Sequence, residues 1–331
     1  MVRAASLAFL FGTHLAVFGV IAVGVDRRSL AMLGVLLLGR TLAITLGYHR
    51  YLSHRAFKTS RGLQFALALL GATAGQKGPL WWAAKHRKHH RHSDQPGDPH
   101  SPRLGGLWHA HLGWVLDPSY HETDHGAVRD LAKYPELVWL DRHHYLAPLA
   151  LGLACYALHG LRGLLVGFCL STALTYQIIL ALASLTHLRR FGTRRWDTQD
   201  DSRNQWLLAL LALGDGWHNN HHYCMGSARH GFRWWEVDAT YWAIRVLAAF
   251  GLVWQVREPP SGALHSVRGG PAQGGSGQVG PAQIGPVEGG PVEGGPAQGG
   301  PVEGGQPQGG LAGGRRGPRG RQRFGAKPRR A

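Results

Sequence analysis

The chain has 331 residues with 48 glycines, 18 prolines and a formal net charge of +17. Its three cysteines, Cys155, Cys169 and Cys224, form no C-x-x-C pair, so neither a disulfide framework nor a zinc ribbon is indicated. The mean hydropathy of -0.15 averages long apolar stretches with a very polar, glycine-rich end, so it describes neither part.

Residues 4–25 are apolar over the length that crosses a hydrocarbon core of roughly 30 Å. Residues 29–48 follow a turn at Asp26-Arg-Arg, are interrupted by Arg40, and run straight into His49. These stretches read as the first two transmembrane helices. Residues 62–75 are apolar but too short for a span, and read as a re-entrant or interfacial helix. That keeps His49, His54 and the residues from His86 onward on one side. Residues 93–145 are polar and rich in tryptophan, proline and histidine, as expected of an extramembrane cap. Residues 146–160 and 164–186, separated only by Leu-Arg-Gly, predict a helical hairpin that ends at His187. Residues 200–217 and 234–256 predict cytoplasmic or interfacial helices.

The expected fold class is an all-α integral membrane protein with four transmembrane helices and a helical cap. Lysine and arginine concentrate in 49–145 and from 187 onward, so the positive-inside rule puts the cap and both termini in the cytoplasm, with the spans in the inner membrane. From Pro259 the composition changes to repeats such as Pro-Val-Glu-Gly-Gly at 286–290, 291–295 and 301–305. Such a segment buries too little apolar surface to offset its ordering entropy. The chain therefore divides into a folded body, 1–258, and a disordered tail, 259–331. The basic end of the tail, 315–330, suits anionic membrane lipid better than nucleic acid.

Three histidine clusters lie beside the apolar segments: His49 and His54; His86, His89 and His90 within KHRKHHRHSD at 85–94; and His218, His221 and His222. Neutral imidazole is the commonest protein metal ligand. Helix positions i, i+3 and i+4 share a face, so His86, His89 and His90 can aim at one centre. A solvated basic surface explains one such run, but three runs and His187 at a helix end make nine histidines at one boundary. A structural zinc takes four ligands and a catalytic zinc three, so nine suggest two ions. Imidazole suits iron, copper, nickel and zinc, and a long apolar substrate at the membrane edge favours a redox metal that activates oxygen.

The order H-x4-H, H-x2-H-H, H-x2-H-H between paired spans resembles the membrane fatty acid desaturases. Gly47-Tyr-His-Arg, Trp81-Trp82, Gly97-Asp-Pro-His-Ser-Pro and Gly214-Asp-Gly-Trp-His-Asn-Asn-His-His resemble the acyl-CoA delta-9 branch in its bacterial form, over roughly residues 5–258. The resemblance implies two non-haem iron ions held by His49, His54, His86, His89, His90, His187, His218, His221 and His222. It also implies an acyl tunnel bent at Gln76 and Trp82. Two positions depart from the family: Ala183 stands where an asparagine approaches one iron through water, and Ile179 stands where a threonine joins Gln76 and Trp82.

The implied reaction inserts a cis double bond, at delta-9, into a saturated acyl-CoA or related acyl thioester, using dioxygen. Its electrons come partly from substrate and partly from a separate ferredoxin or cytochrome b5 with a reductase, because no haem-binding H-P-G-G stretch is present. A di-iron lipid hydroxylase is the alternative chemistry. A histidine-rich metal transporter is the alternative class, although a transporter places ionisable residues within its spans. Of the remaining histidines, His14 is expected to be a satisfied polar group between helices, and His100 is the least dismissible of those in the cap. Arg50, Lys85, Arg87, Lys88 and Arg91 are expected to meet thioester phosphates or to form a charged rim. Trp81, Trp82, Trp108 and Trp114 are expected to line the tunnel or belt the interface.

Overall fold

The computed structural model describes residues 2–265, and of the expected tail residues 266–331 lie outside the described residues. The stretch expected as one span over 4–25 is two helices, α1 (Val2–Ala16) and α2 (Gly19–Val23). At the join Val17 and Phe18 bond back only three residues, to His14 and Leu15, at 3.3 and 3.1 Å. Hydropathy does not register this tight turn. His14 is satisfied, with Nδ1 2.8 Å from the Leu10 carbonyl and Nε2 accepting from Gln177 at 3.1 Å.

Asp26 starts α3 (Arg27–Leu42) with a capping box, its carboxylate accepting from the Ser29 amide at 2.8 Å. The helix continues as a wider π-helix over Ala43–Ser53, every residue of which is buried. From Arg27 to His49 it advances about 33 Å at 1.5 Å per residue, close to the roughly 30 Å of a hydrocarbon core. Residues 27–53, whose most apolar 18-residue window has a mean hydropathy of 1.9, are one of two described segments long and apolar enough to cross a membrane. Arg40, the interruption in the sequence pattern, is 3% exposed and donates to the Thr172 hydroxyl at 2.6 Å and to the Ser171 hydroxyl.

A short helix, α4 (Arg61–Ala72), leads to α5 (Pro79–His92), which carries the central histidine run. Pro79 suits a first helical turn, where no amide donor is needed, and Asp141 accepts from the free amides of Leu80 and Trp81 at 2.9 Å each. The cap comprises α6 (Pro102–Trp108), α7 (Trp114–Leu116), α8 (Arg129–Ala132) and α9 (Pro135–Arg142). The second apolar segment, 146–185, is α10 (Leu146–Arg162), a π-helix over Gly163–Leu170, and α11 (Ser171–Leu185). The backbone leaves helical geometry at His159 and Gly160, where φ of 58° favours glycine. The chain then folds back so that Cys155 packs with Phe168 and Cys169. The reversal thus falls just before the Leu-Arg-Gly expected to make it.

Asp26 clasps this turn to the one before α3, accepting from His159 at 2.8 Å and Arg162 at 3.3 Å. Both turns lie at one end of the long helices, and His49 and His187 lie at the other.

The chain ends in α12 (Trp206–Leu211), α13 (His218–Tyr223), α14 (Ala239–Ala249) and α15 (Ser261–His265). The last corrects the expected boundary at 258: Ala263, 4% exposed, packs with Trp196 and Phe232. One departure from all-α architecture is a two-residue ribbon, with Lys58–Thr59 antiparallel to Val253–Trp254. The main core joins the π-helix to α4, α5 and α9 through Tyr48, Leu52, Ala68, Leu80, Leu137 and Leu140, all nearly inaccessible. This packing fixes the first two histidine clusters against each other.

Candidate metal centre and cleft

The nine histidines converge in two groups, and each H-x-x-H-H run divides between them. His49, His54, His86, His90 and His221 form one group, and His89, His187, His218 and His222 the other; within each, the candidate ligand atoms lie within 4.8 Å of one another. The expectation that His86, His89 and His90 aim at one centre is corrected by helix geometry. At about 100° per residue, His90 lies about 40° from His86 around α5, whereas His89 lies about 60° away on the opposite side.

In the first group the Nε2 atoms form a chain: His49 to His221 at 3.1 Å, His221 to His90 at 2.9 Å, His90 to His86 at 2.9 Å, and His86 to His54 at 2.7 Å. In the second, His187 and His218 approach through Nε2 at 3.1 Å. Acids behind the rings set the tautomers. Nδ1 of His49 faces Asp215 at 2.6 Å, His89 faces Asp98 at 3.0 Å, His187 faces Asp94 at 2.8 Å, and His222 faces Asp200 at 2.6 Å. Each carboxylate accepts the Nδ1 proton and leaves Nε2 as a lone pair.

The Nε2 atoms of His89 and His222 are buried with no hydrogen-bond partner among the described residues. So many inward lone pairs repel unless a cation lies between them. Inward-turned imidazole nitrogens about 3 Å apart are spaced as ligands that would share an ion at metal–nitrogen distances of about 2.1 Å. The residues therefore fit two metal ions, with five and four imidazoles.

The electrostatics agree. Burial, reinforced by neighbouring imidazoles, holds His54, His86, His90, His218 and His221 well below the ordinary histidine range, hence neutral. Burial alone would raise the Asp98 and Asp200 carboxyls, but His89 and His222 outweigh it and hold them far below the usual range. For Asp94, His187 likewise overcomes burial and brings the value to about 2. Replacing Asp98 with asparagine no longer enforces the His89 tautomer. We expect Asp98→Asn to weaken metal retention about 10- to 100-fold, measured by competition with a chelator.

Sequence reasoning missed these four aspartates as second partners, although Asp94, Asp98 and Asp215 sit in quoted words beside the histidines. It also missed His230, eight residues after His222. His230 is fully buried, lies 3.2 Å through Nδ1 from Asp215, and packs on His221 with ring centroids 4.4 Å apart. His100 packs on His89 at 4.3 Å and lines the cleft. Burial depresses His230 to about 4 and His100 to about 3. Because both values lie below the unfolded value of about 6.5, their neutral forms stabilise the fold fully above that pH, and this stability is lost as pH falls toward 4 and 3. Thermal melts of metal-stripped protein should therefore move to lower temperature from pH 7.5 to pH 5, each of these histidines costing up to about 1.4 kcal/mol of stability per pH unit below about 6.5.

Two candidate phosphate ligands are corrected. Arg50 is fully buried between Asp215 and Asp238, 2.9 Å from each. Arg87 pairs with Asp130 at 2.6 Å and donates to the Leu52 and Ser53 carbonyls. Neither faces the cleft. Gly214, at φ of 120°, permits the approach of Asp238, since a Cβ there would fall 2.2 Å from its carboxylate.

A cleft with an empty volume of about 1070 Å³ opens onto the histidines. His49, His86, His89 and His218 form its metal end, and Gln76, Trp82 and Ile179 line its wall, as do Trp81, Trp114 and Ala183. Trp81 and Trp114 stack with centroids 6.0 Å apart, whereas Trp108 is 68% exposed and stands outside the cleft. The Gln76 Nε2 is buried without a hydrogen-bond partner among the described residues, consistent with isoleucine at 179. A mostly apolar cleft ending at a buried, carboxylate-braced histidine cage is the arrangement that would suit metal chemistry on a long apolar molecule.

The comparisons agree. A family model described as fatty acid desaturase matches residues 28–257, and the chain belongs to that family. A palmitoyl-monogalactosyldiacylglycerol delta-7 desaturase, chloroplastic, of Arabidopsis thaliana is 38% identical over 259 residues, covering 73% of this chain and 69% of the relative. An sn-1 stearoyl-lipid 9-desaturase of Anabaena variabilis is 38% identical over 258 residues, covering 75% and 92%. An acyl-CoA 5-desaturase of Anemone leveillei is 38% identical over 222 residues, covering 65% and 67%. The protein is thus a desaturase-family oxidoreductase of acyl chains.

Proposed function

We propose that this protein introduces a cis double bond at the delta-9 position of a saturated acyl chain esterified in a membrane glycerolipid. The observation that carries the reading is the cleft whose apolar walls end at His49, His86, His89 and His218. The lipid carrier replaces the acyl thioester expected from the sequence. It is favoured by the stearoyl-lipid 9-desaturase, 92% of whose length is matched. The acyl-CoA relative keeps the thioester as a second reading. Four membrane crossings, with the histidine cage and both termini on the cytoplasmic side, accord with the two clasped turns at the opposite end and with the basic cap.

The donor set suits two non-haem irons, which when bound supply oxygen activation and hydrogen abstraction from adjacent methylenes. The chain's own part is binding, orientation and exclusion of water. Ile179, Trp82 and Gln76 shape the cleft wall and hold the acyl chain so that one pair of methylenes faces the metal end. Neighbouring methylenes are chemically alike, so position selects between them. Asp94, Asp98, Asp200 and Asp215 keep the Nδ1 protons away from the centre and the lone pairs toward it. A separate electron carrier, ferredoxin or cytochrome b5 with its reductase, supplies the remaining electrons, and the basic surface suits an acidic partner.

The test is expression in a desaturase-deficient host with a competent electron donor, reading double-bond position in each lipid class by mass spectrometry. A delta-9 monoene arising in glycerolipid is expected. Hydroxylated chains would replace desaturation with oxygenation, and free metal exchange without oxygen consumption would favour transport.

A further inference from the structure

Beside the cleft lies a second, almost wholly apolar groove with an empty volume of about 1680 Å³, walled by Phe9 of α1 and by Tyr145, Leu149, Leu153 and Tyr156 along α10. The two spaces meet at Ser6, which lines both. On the groove side Phe9 packs on Gly75, where a Cβ would lie 2.2 Å from the ring. Gly75 lines the groove and the next residue, Gln76, lines the cleft. Polar groups stand on both sides of the divide, Lys77 in the cleft and His144 in the groove. From Tyr145 to Tyr156 the groove follows α10 for about 16 Å. That is half of a hydrocarbon core of roughly 30 Å, the depth one acyl chain reaches in its leaflet.

From this continuity and this length we propose that the groove holds the second acyl chain of a two-chain glycerolipid whose reacting chain occupies the cleft. The ester-linked backbone then crosses at Ser6, between Lys77 and His144. The inference rests on the glycerolipid reading above and adds a binding site to it.

The test uses the full chain in nanodiscs with three substrates: a diacyl glycerolipid bearing a stearoyl chain, its lyso form with the same headgroup, and stearoyl-CoA. Leu149→Trp and Leu153→Trp fill the groove at side chains that are 54% and 61% exposed, so packing of the fold does not depend on them. The ratio of KM for the diacyl lipid to KM for the lyso lipid should rise about tenfold, equivalent to lost burial of about two methylenes. A diazirine in the non-reacting chain should label α10 in the wild type, be competed by unlabelled diacyl substrate, and label the variants less. Wild-type turnover of the diacyl lipid with an unchanged KM ratio, or labelling that substrate does not compete, overturns the second-chain site while leaving the glycerolipid reading intact. Turnover of stearoyl-CoA alone, with both lipids untouched, overturns both.

Discussion

His89→Ala abolishes product and lowers bound metal from two ions per chain toward one, whereas His92→Ala, in the same basic run, changes neither. His89 is 1% exposed, is braced by Asp98 at 3.0 Å, and presents an otherwise unpartnered Nε2 to the four-histidine group. Its removal leaves that group with three imidazoles and strands a buried carboxylate. His92 belongs to neither group. Metal analysis of the two purified variants, with lipid product analysis in cells, separates a coordinating role from the effect of a merely basic, histidine-rich surface. Equal losses in both variants would return the run to that simpler explanation.

Arg50→Ala is expected to be the most damaging substitution outside the histidines. The guanidinium holds Asp215 and Asp238 at 2.9 Å each and donates to the Ala228 carbonyl at 2.7 Å, with no solvent access. Removing one partner of a buried pair costs about 3–5 kcal/mol because the other charge is left uncompensated, and here two carboxylates are left. Asp215 also orients His49, so lost stability and lost metal binding go together. A thermal melt in detergent should show a fall of about 10 °C or more, with reduced metal content. Arg50→Lys should recover little, since a single ammonium lacks the fork that spans both acids. A melt unchanged by Arg50→Ala would show that the ion-pair network is not needed to hold this part of the fold.

Much of the candidate site is legible in the sequence because metal ligation imposes local spacing. H-x-x-H-H on a helix brings imidazoles to one side, and a long apolar helix ending at His49 or His187 fixes their depth. The division between the two groups is not legible from spacing alone. It follows from the 100° step between His89 and His90 and from how α5 and α13 face each other. The aspartates are hidden for another reason: Asp94 serves His187 and Asp215 serves His49, across 93 and 166 residues. A rule that each buried ligating imidazole needs an acceptor for Nδ1 would have directed attention to the acids beside the histidine words. Arg50 and Arg87 look like surface charges in sequence, because nothing local announces Asp238 or Asp130. The break at Val17 and Phe18 is equally silent, since backbone turns leave the apolar pattern intact.

The departures at Ala183 and Ile179 both fall on the cleft wall.

We propose that the two histidine groups hold two iron ions. The most direct measurement is metal content by plasma mass spectrometry, with Mössbauer spectra of protein grown on iron-57. Two irons per chain in nitrogen-rich, non-haem environments are expected. A single ion, or two zinc ions in protein that is nevertheless active, would contradict the proposal.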